Sequence, residues 1–155
     1  MLCGVKTLSE ARILVVDDEY LIRWTLQQNL EKQGYEVILA ETGEEALEKV
    51  KEEAPDLALL DIKLPGMDGY EVCRRLKDNP ATRDIPIIFL TAKTEEVDEE
   101  KGFEVGAVDY IHKPFSGPIV LARVKTQLAL QEALSEAQEA RNQADPLLHA
   151  LLPKK

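Results

Sequence analysis

Four short apolar runs each end in polar residues of complementary chemistry. Asp17 and Asp18 follow "ILVV", Asp61 ends "LALLD", Thr91 ends "IPIIFLT" and Lys113 ends "DYIHK". If the runs are parallel strands, all five residues lie on one sheet edge, where open α/β sheets bind their ligands. Three carboxylates gathered there repel one another unless a cation intervenes. Oxygen-only donors favour Mg2+, which binds few carboxylates and keeps waters that a phosphate can replace. Thr91 offers a hydroxyl and Lys113 a point positive charge, and both suit phosphoryl oxygens. The set points to phosphoryl transfer, in which positioning and charge neutralisation supply most of the catalysis. Taken singly, each residue has a plainer use. Asp17 or Asp18 could cap the following helix, Asp61 could cap a turn before Pro65-Gly66, Thr91 could be an N-cap, and Lys113 could be a solvated charge. Their joint placement is what favours a site.

The elements that must position these residues are legible in the pattern. "RILVVDDE" runs apolar without alternation, as strands covered on both faces do. "EYLIRWTLQQNLEKQG" then changes to helical spacing, with Ile22, Leu26 and Leu30 recurring and Gly34 as the stop. "YEVILA" is a second strand, and "TGEEALEKVKEEAP" a second helix ended by Pro55. "LALLD" is the third strand, and "GYEVCRRLKDN" a third helix. "IPIIFLT" is the fourth strand, and "TEEVDEEKGFEVGA" a fourth, acidic helix. "DYIHKPF" holds the fifth strand, and "PIVLARVKTQLALQ" opens a fifth helix. Five strands alternating with five helices predict an α/β domain with a parallel sheet and right-handed crossovers.

The 155 residues suit one domain of ordinary size with an appendage. A hydrophobic content of 45% supports a core, and 31% charged residues support solubility. The net charge of -10 and pI near 4.7 argue against a nucleic-acid backbone as the main partner. Cys3 and Cys73 lack metal-ligand spacing and read as cytosolic thiols. No apolar run approaches the ~20 residues of a membrane span, and "MLCGVKTLSEAR" lacks the apolar core of a signal peptide. A cytoplasmic protein without membrane contact is expected.

The pieces "ILVVDDE", "LALLDIKLPGMDGYEV", "IPIIFLTA" and "GAVDYIHKPF" resemble the receiver domain of two-component response regulators, in that family's order and spacing, over about residues 12–131. The resemblance implies a flavodoxin-like five-stranded sheet of order 2-1-3-4-5 flanked by five helices. It implies that Asp61 accepts a phosphoryl group from a histidine kinase. It assigns Asp18, Asp61 and the backbone carbonyl of Lys63 to Mg2+, with Asp17 acting mainly through metal-bound water. Thr91 and the Ala92 N–H would contact the phosphoryl group. Lys113 would pair with it or, before phosphorylation, with Asp61. The Lys113–Pro114 bond would be cis. Tyr110, three residues before Lys113, resembles the aromatic that moves into space vacated when Thr91 shifts. The face formed by the fourth helix, fifth strand and fifth helix would then change, with homodimerisation as one consequence.

Three features are more individual. Lys63 and Lys93 each stand two residues beyond a site residue; they read as exposed solubilising lysines or as residues that tune hydrolysis of the phosphate. Residues 95–104 carry six acids against Lys101, either a solvated helix face or a partner surface. The fifth helix also continues past a minimal receiver, so residues 132–155 form a C-terminal extension. Leu130, Ala133, Ala137, Ala140, Ala144, Leu147 and Leu151 recur at alternating steps of three and four, a heptad seam that Pro146 interrupts. The alternatives are a dimeric coiled coil leading to an output module and a fraying helix or linker. "LLHALLPKK" resembles the end of signalling helices that precede nucleotidyl cyclase domains, which suggests a fragment of a longer protein. No basic helix-turn-helix is present, so direct nucleic-acid binding is not expected.

Two rivals remain. A haloacid-dehalogenase-type phosphatase needs a second Asp two residues after its nucleophile, where this chain has Lys63. A receiver-like scaffold that only dimerises has no use for Asp18, Asp61, Thr91 and Lys113 together.

Overall fold

The computed structural model describes residues 11–92 and 103–144. Strands β1 (Arg12–Val16), β2 (Glu36–Ala40), β3 (Leu57–Asp61), β4 (Ile87–Ala92) and β5 (Asp109–Lys113) form one parallel sheet of order β2-β1-β3-β4-β5. Helices α1 (Tyr20–Glu31), α2 (Gly43–Glu53), α3 (Gly69–Asp78) and α4 (Gly117–Ala144) pack around it. This is the expected flavodoxin-like fold. Four helices are described where five were expected. The acidic helix expected between β4 and β5 falls largely on residues 93–102, outside the described residues, and only a helical turn at Phe103 and Glu104 is seen.

The non-alternating strands are explained by two apolar layers. Leu14, Val16, Leu60 and Phe89 face a core shared with Ala46, Val50, Val72 and Leu76 of α2 and α3. Ile13, Val15, Leu59 and Leu90 face the opposite core, with Leu26 and Leu30 of α1 and Val120 and Val124 of α4. Successive strand side chains point to opposite faces, so a sheet covered on both needs apolar residues at every position.

Local signals set the helix boundaries. The Thr42 side chain accepts a hydrogen bond from the Glu45 N–H at 3.1 Å and starts α2; Asp68 does the same for α3 from Glu71 at 2.9 Å. Helix α2 ends on Ala54 at φ 44°, a left-handed position occupied without glycine, immediately before Pro55. Helix α1 begins after Glu19 without a side-chain cap. Asp17 therefore does not cap it: its Oδ1 accepts from the Glu19 N–H at 2.9 Å in a turn ahead of the helix. Helix α4 crosses position 131 without interruption, so the expected boundary between domain and extension has no break in backbone structure.

Candidate functional site

The sheet order reverses direction at β1, which has β2 on one side and β3 on the other. The register pairs Val16 with Leu60, so the residues that follow, Asp17 and Asp61, emerge side by side. Asp61 pairs with Leu90, and Ala92 with Lys113, which brings the ends of β4 and β5 to the same edge. Parallel pairing thus gathers Asp17, Asp18, Asp61, Thr91 and Lys113 as their spacing predicts.

Asp17, Asp61 and Thr91 are buried, whereas Asp18 is exposed. Lys113 Nζ lies 2.8 Å from Asp17 Oδ2 and 3.6 Å from Asp61 Oδ2. The lysine was expected to pair with Asp61; its closer partner is Asp17. The physical reason is burial. Asp17 Oδ2 is sealed from solvent without a hydrogen bond of good geometry, so the ammonium is its compensation, held as an ion pair. Burial alone would lower the Lys113 pKa. The close contact and charge of Asp17, then the charges of Asp61 and Glu19, outweigh it and raise the pKa.

The Asp61 carboxyl is pushed up to about 7, first by burial and then by the negative charge of Asp17, with a smaller push from Asp18. Lys113 and the Lys63 backbone N–H work against this, the latter donating to Asp61 Oδ1 at 3.3 Å. Asp61 therefore does serve a local turn, as its plainer reading had it, and still faces the cluster. The Thr91 hydroxyl lies 3.5 Å from the Ala92 carbonyl, at the outer limit of a hydrogen bond. Lys113–Pro114 is cis, as expected. Tyr110 is buried, its ring 5.7 Å from Phe89 and 5.3 Å from Phe103. Lys63 is exposed on the loop after β3; Lys93 lies outside the described residues.

The loop after β3 needs its glycines. Gly66 has φ +76°, a left-handed position. Gly69 donates its N–H to the Ile62 carbonyl at 2.7 Å. A Cβ on Gly69 would meet Ile62 Cα at 2.8 Å and the Asp61 carbonyl oxygen closer still. The start of α3 is thereby pressed against the strand end that carries Asp61.

Sequence reasoning missed two residues. Glu19 joins Asp17 and Asp18 in a group whose carboxylate oxygens lie within 4.8 Å of one another. Arg23, buried on α1, donates to the Asp17 carbonyl at 2.7 Å and to Glu41 at 3.0 Å, tying the end of β1 to the loop after β2. The only available signal for Arg23 was its charge one residue from the apolar face marked by Ile22 and Leu26. A hard divalent cation fits this donor set: Asp17, Asp18 and Glu19 offer carboxylate oxygens within 4.8 Å of one another, and the negative charge of Asp17 and Asp18 adds to burial in raising the Asp61 carboxyl.

Comparison with known proteins agrees with this geometry. Residues 13–125 match the family model described as the response regulator receiver domain, and the chain belongs to that family. Over 131 residues it is 50% identical to the alkaline phosphatase synthesis transcriptional regulatory protein PhoP of Bacillus subtilis, covering 84% of this chain and 54% of PhoP. The chain thus spans about half the length of that curated relative. The crystal structure of a CheY-like response regulator receiver domain protein from Methanospirillum hungatei superposes with a TM-score of 0.75 at 35% identity, over 80% of this chain and 98% of that one. NtrX from Brucella abortus gives a TM-score of 0.80 at 26% identity, over 94% of this chain and 32% of that one. The chain is a receiver of two-component signalling. No helix among the described residues is long and apolar enough to cross a membrane.

Proposed function

We propose that this receiver accepts a phosphoryl group on Asp61 from the phosphohistidine of a histidine kinase. An Asp61 carboxylate oxygen attacks phosphorus, the P–N bond breaks, and the imidazole leaves with its electron pair. Mg2+, when bound, neutralises charge on the carboxylates and the phosphoryl oxygens. Asp18, Asp61 and the Lys63 carbonyl would hold it, with Asp17 acting through water and Glu19 near enough to join. Lys113 draws away from Asp61 to meet the new phosphoryl oxygens, while Asp17 retains it at the site. The Thr91 hydroxyl and Ala92 N–H complete the contacts. The observation that carries this reading is the placement of Lys113 Nζ between two buried carboxylates, 2.8 Å from Asp17 and 3.6 Å from Asp61.

Phosphorylation adds charge and strong acceptor oxygens. Movement of Thr91 toward them would change the space behind it and the packing of Tyr110. The response would spread to the face containing β5 and the start of α4, and to the long C-terminal part of α4, in a homodimer. Residues 12–131 would act as the receiver and residues 132–155 as a connector. In a longer protein the output could be a nucleotidyl cyclase, which the tail resembles, or a transcription-regulating module, as PhoP's name describes for that protein. The second option widens the sequence expectation, which excluded nucleic acid. The chain itself is no enzyme beyond its own phosphorylation and dephosphorylation, and it would work in the cytoplasm.

Incubation with a labelled small-molecule phosphodonor and Mg2+ tests the proposal. One phosphoryl group per chain, absent in Asp61→Asn, is expected. No incorporation into the parent protein favours the dimerisation scaffold, and many turnovers per chain favour a hydrolase.

A further inference from the structure

Helix α4 has two unlike halves. Val120, Val124 and Leu128 are buried against the sheet. From Ala133 to Arg141 every residue is exposed, and Leu130 and Leu134 stand 51% and 57% exposed. A helix segment of this length without tertiary packing is marginal in water. The heptad seam begins where packing stops: with Leu130 at position a, Ala133 falls at d, Ala137 at a and Ala140 at d. One turn earlier the corresponding d position is Thr126, and the buried Leu128 points away from the seam.

This frame gives the flanking charges a meaning. Glu136 falls at g and Arg141 at the e position of the next heptad. Glu136 has no cation three or four residues away on its own helix; Glu132 and Glu139 occupy those places and repel it. Arg141 has Ala137 and Gln138 behind it, and Asp145, just before the Pro146 interruption, as the one acid within reach ahead. In a parallel, in-register pair of helices, g of one chain meets the following e of the other. Each Glu136 would then face the second copy's Arg141, twice by symmetry. An antiparallel pair sets g against g and e against e, which places like charges together.

We infer that the projecting half of α4 pairs in parallel and in register with the same segment of a second copy, and that reciprocal Glu136–Arg141 ion pairs fix orientation and register. The inference deepens the homodimer reading above by assigning its contact and direction. The apolar Leu134, at e, covers the flank of the seam beside Ala129 at g. The two chains leave the pair side by side, pointing the same way.

Sedimentation of the full chain and three variants tests this. The parent is expected to dimerise. Glu136→Arg and Arg141→Glu each replace two attractions with two like-charge contacts, so each weakens dimerisation about tenfold; the double reversal restores it to near the parent value. Glu136→Arg also gains Glu132 and Glu139 as partners on its own helix, so at a dilution where parent and variant are both monomeric its helicity is at or above the parent's, which separates a weakened dimer from a lost helix. In a Cys3→Ser background, Ala137→Cys oxidises to a disulfide-linked dimer. A dimer indifferent to both reversals overturns the inference and leaves dimerisation through the β5 face standing. A double reversal no better than either single change, or a monomeric parent, also overturns it. Phosphorylation of the same variants, measured separately, reports whether the phosphoryl-transfer reading fails.

Discussion

Asp61→Asn should make the metal-free protein more stable at pH 8 than the parent, and the gain should vanish on acidification. The folded state holds the Asp61 carboxyl at about 7 against an ordinary value of 3.8. A shift of roughly three units corresponds to a ceiling of about 4 kcal/mol, at 1.36 kcal/mol per unit. The sign follows from proton binding. Below pH 4 both states are protonated at this group and it costs nothing. Between pH 4 and 7 the unfolded chain releases the proton and the folded one keeps it, so parent stability falls as pH rises. Above pH 7 the folded state carries the charge beside Asp17 and the full cost persists. Asn keeps the shape and cannot ionise. With chelator at pH 8 the variant should gain about 2–4 kcal/mol, or roughly 6–12 °C in Tm for a domain of this size. Thermal unfolding by circular dichroism from pH 4.5 to 8.5 reads the difference. Saturating Mg2+ should narrow the gap at pH 8 by stabilising the parent alone. An equal or lower Tm for Asp61→Asn at pH 8, or a gap independent of pH, would refute the argument that Asp61 is a buried, repelled carboxylate.

Other substitutions probe the supports of the site. Lys113→Met leaves Asp17 buried without its counter-charge and should cost about 3 kcal/mol in urea unfolding; it should also raise the Asp61 pKa further, since it removes a lowering charge. Gly69→Ala drives a methyl group against the backbone of Asp61 and Ile62, with an expected loss of about 2 kcal/mol and weaker Mg2+ binding by titration calorimetry. Thr42→Ala removes the α2 cap for about 1 kcal/mol and should leave phosphorylation at the parent rate, because the cap lies outside the site.

The sheet was legible because burial on both faces demands unbroken apolar runs, and Ile13–Val16 and Leu57–Leu60 have them. Asp17, Asp61, Thr91 and Lys113 were legible because a parallel sheet converts strand ends into one edge. The choice of Asp17 over Asp61 as the closer partner of Lys113 was not: it depends on which carboxylate oxygen is sealed from water, a product of packing that spacing does not encode. Arg23 escaped for the same reason, since a charge near a helix start looks solvated until the chain folds over it, and Glu19, which stays exposed, joins the carboxylates only through the turn after β1. The contact of Gly69 with the Asp61 backbone was not legible either, because it exists only once α3 docks.

The central claim is that Asp61 accepts the phosphoryl group. After incubation with a small phosphodonor and Mg2+, borohydride reduction followed by peptide mapping converts a phosphorylated aspartate to homoserine and locates it. The account predicts homoserine at position 61 alone, requiring both donor and Mg2+. Homoserine at another aspartate, or an unmodified Asp61 in protein that has taken up phosphate, would contradict it.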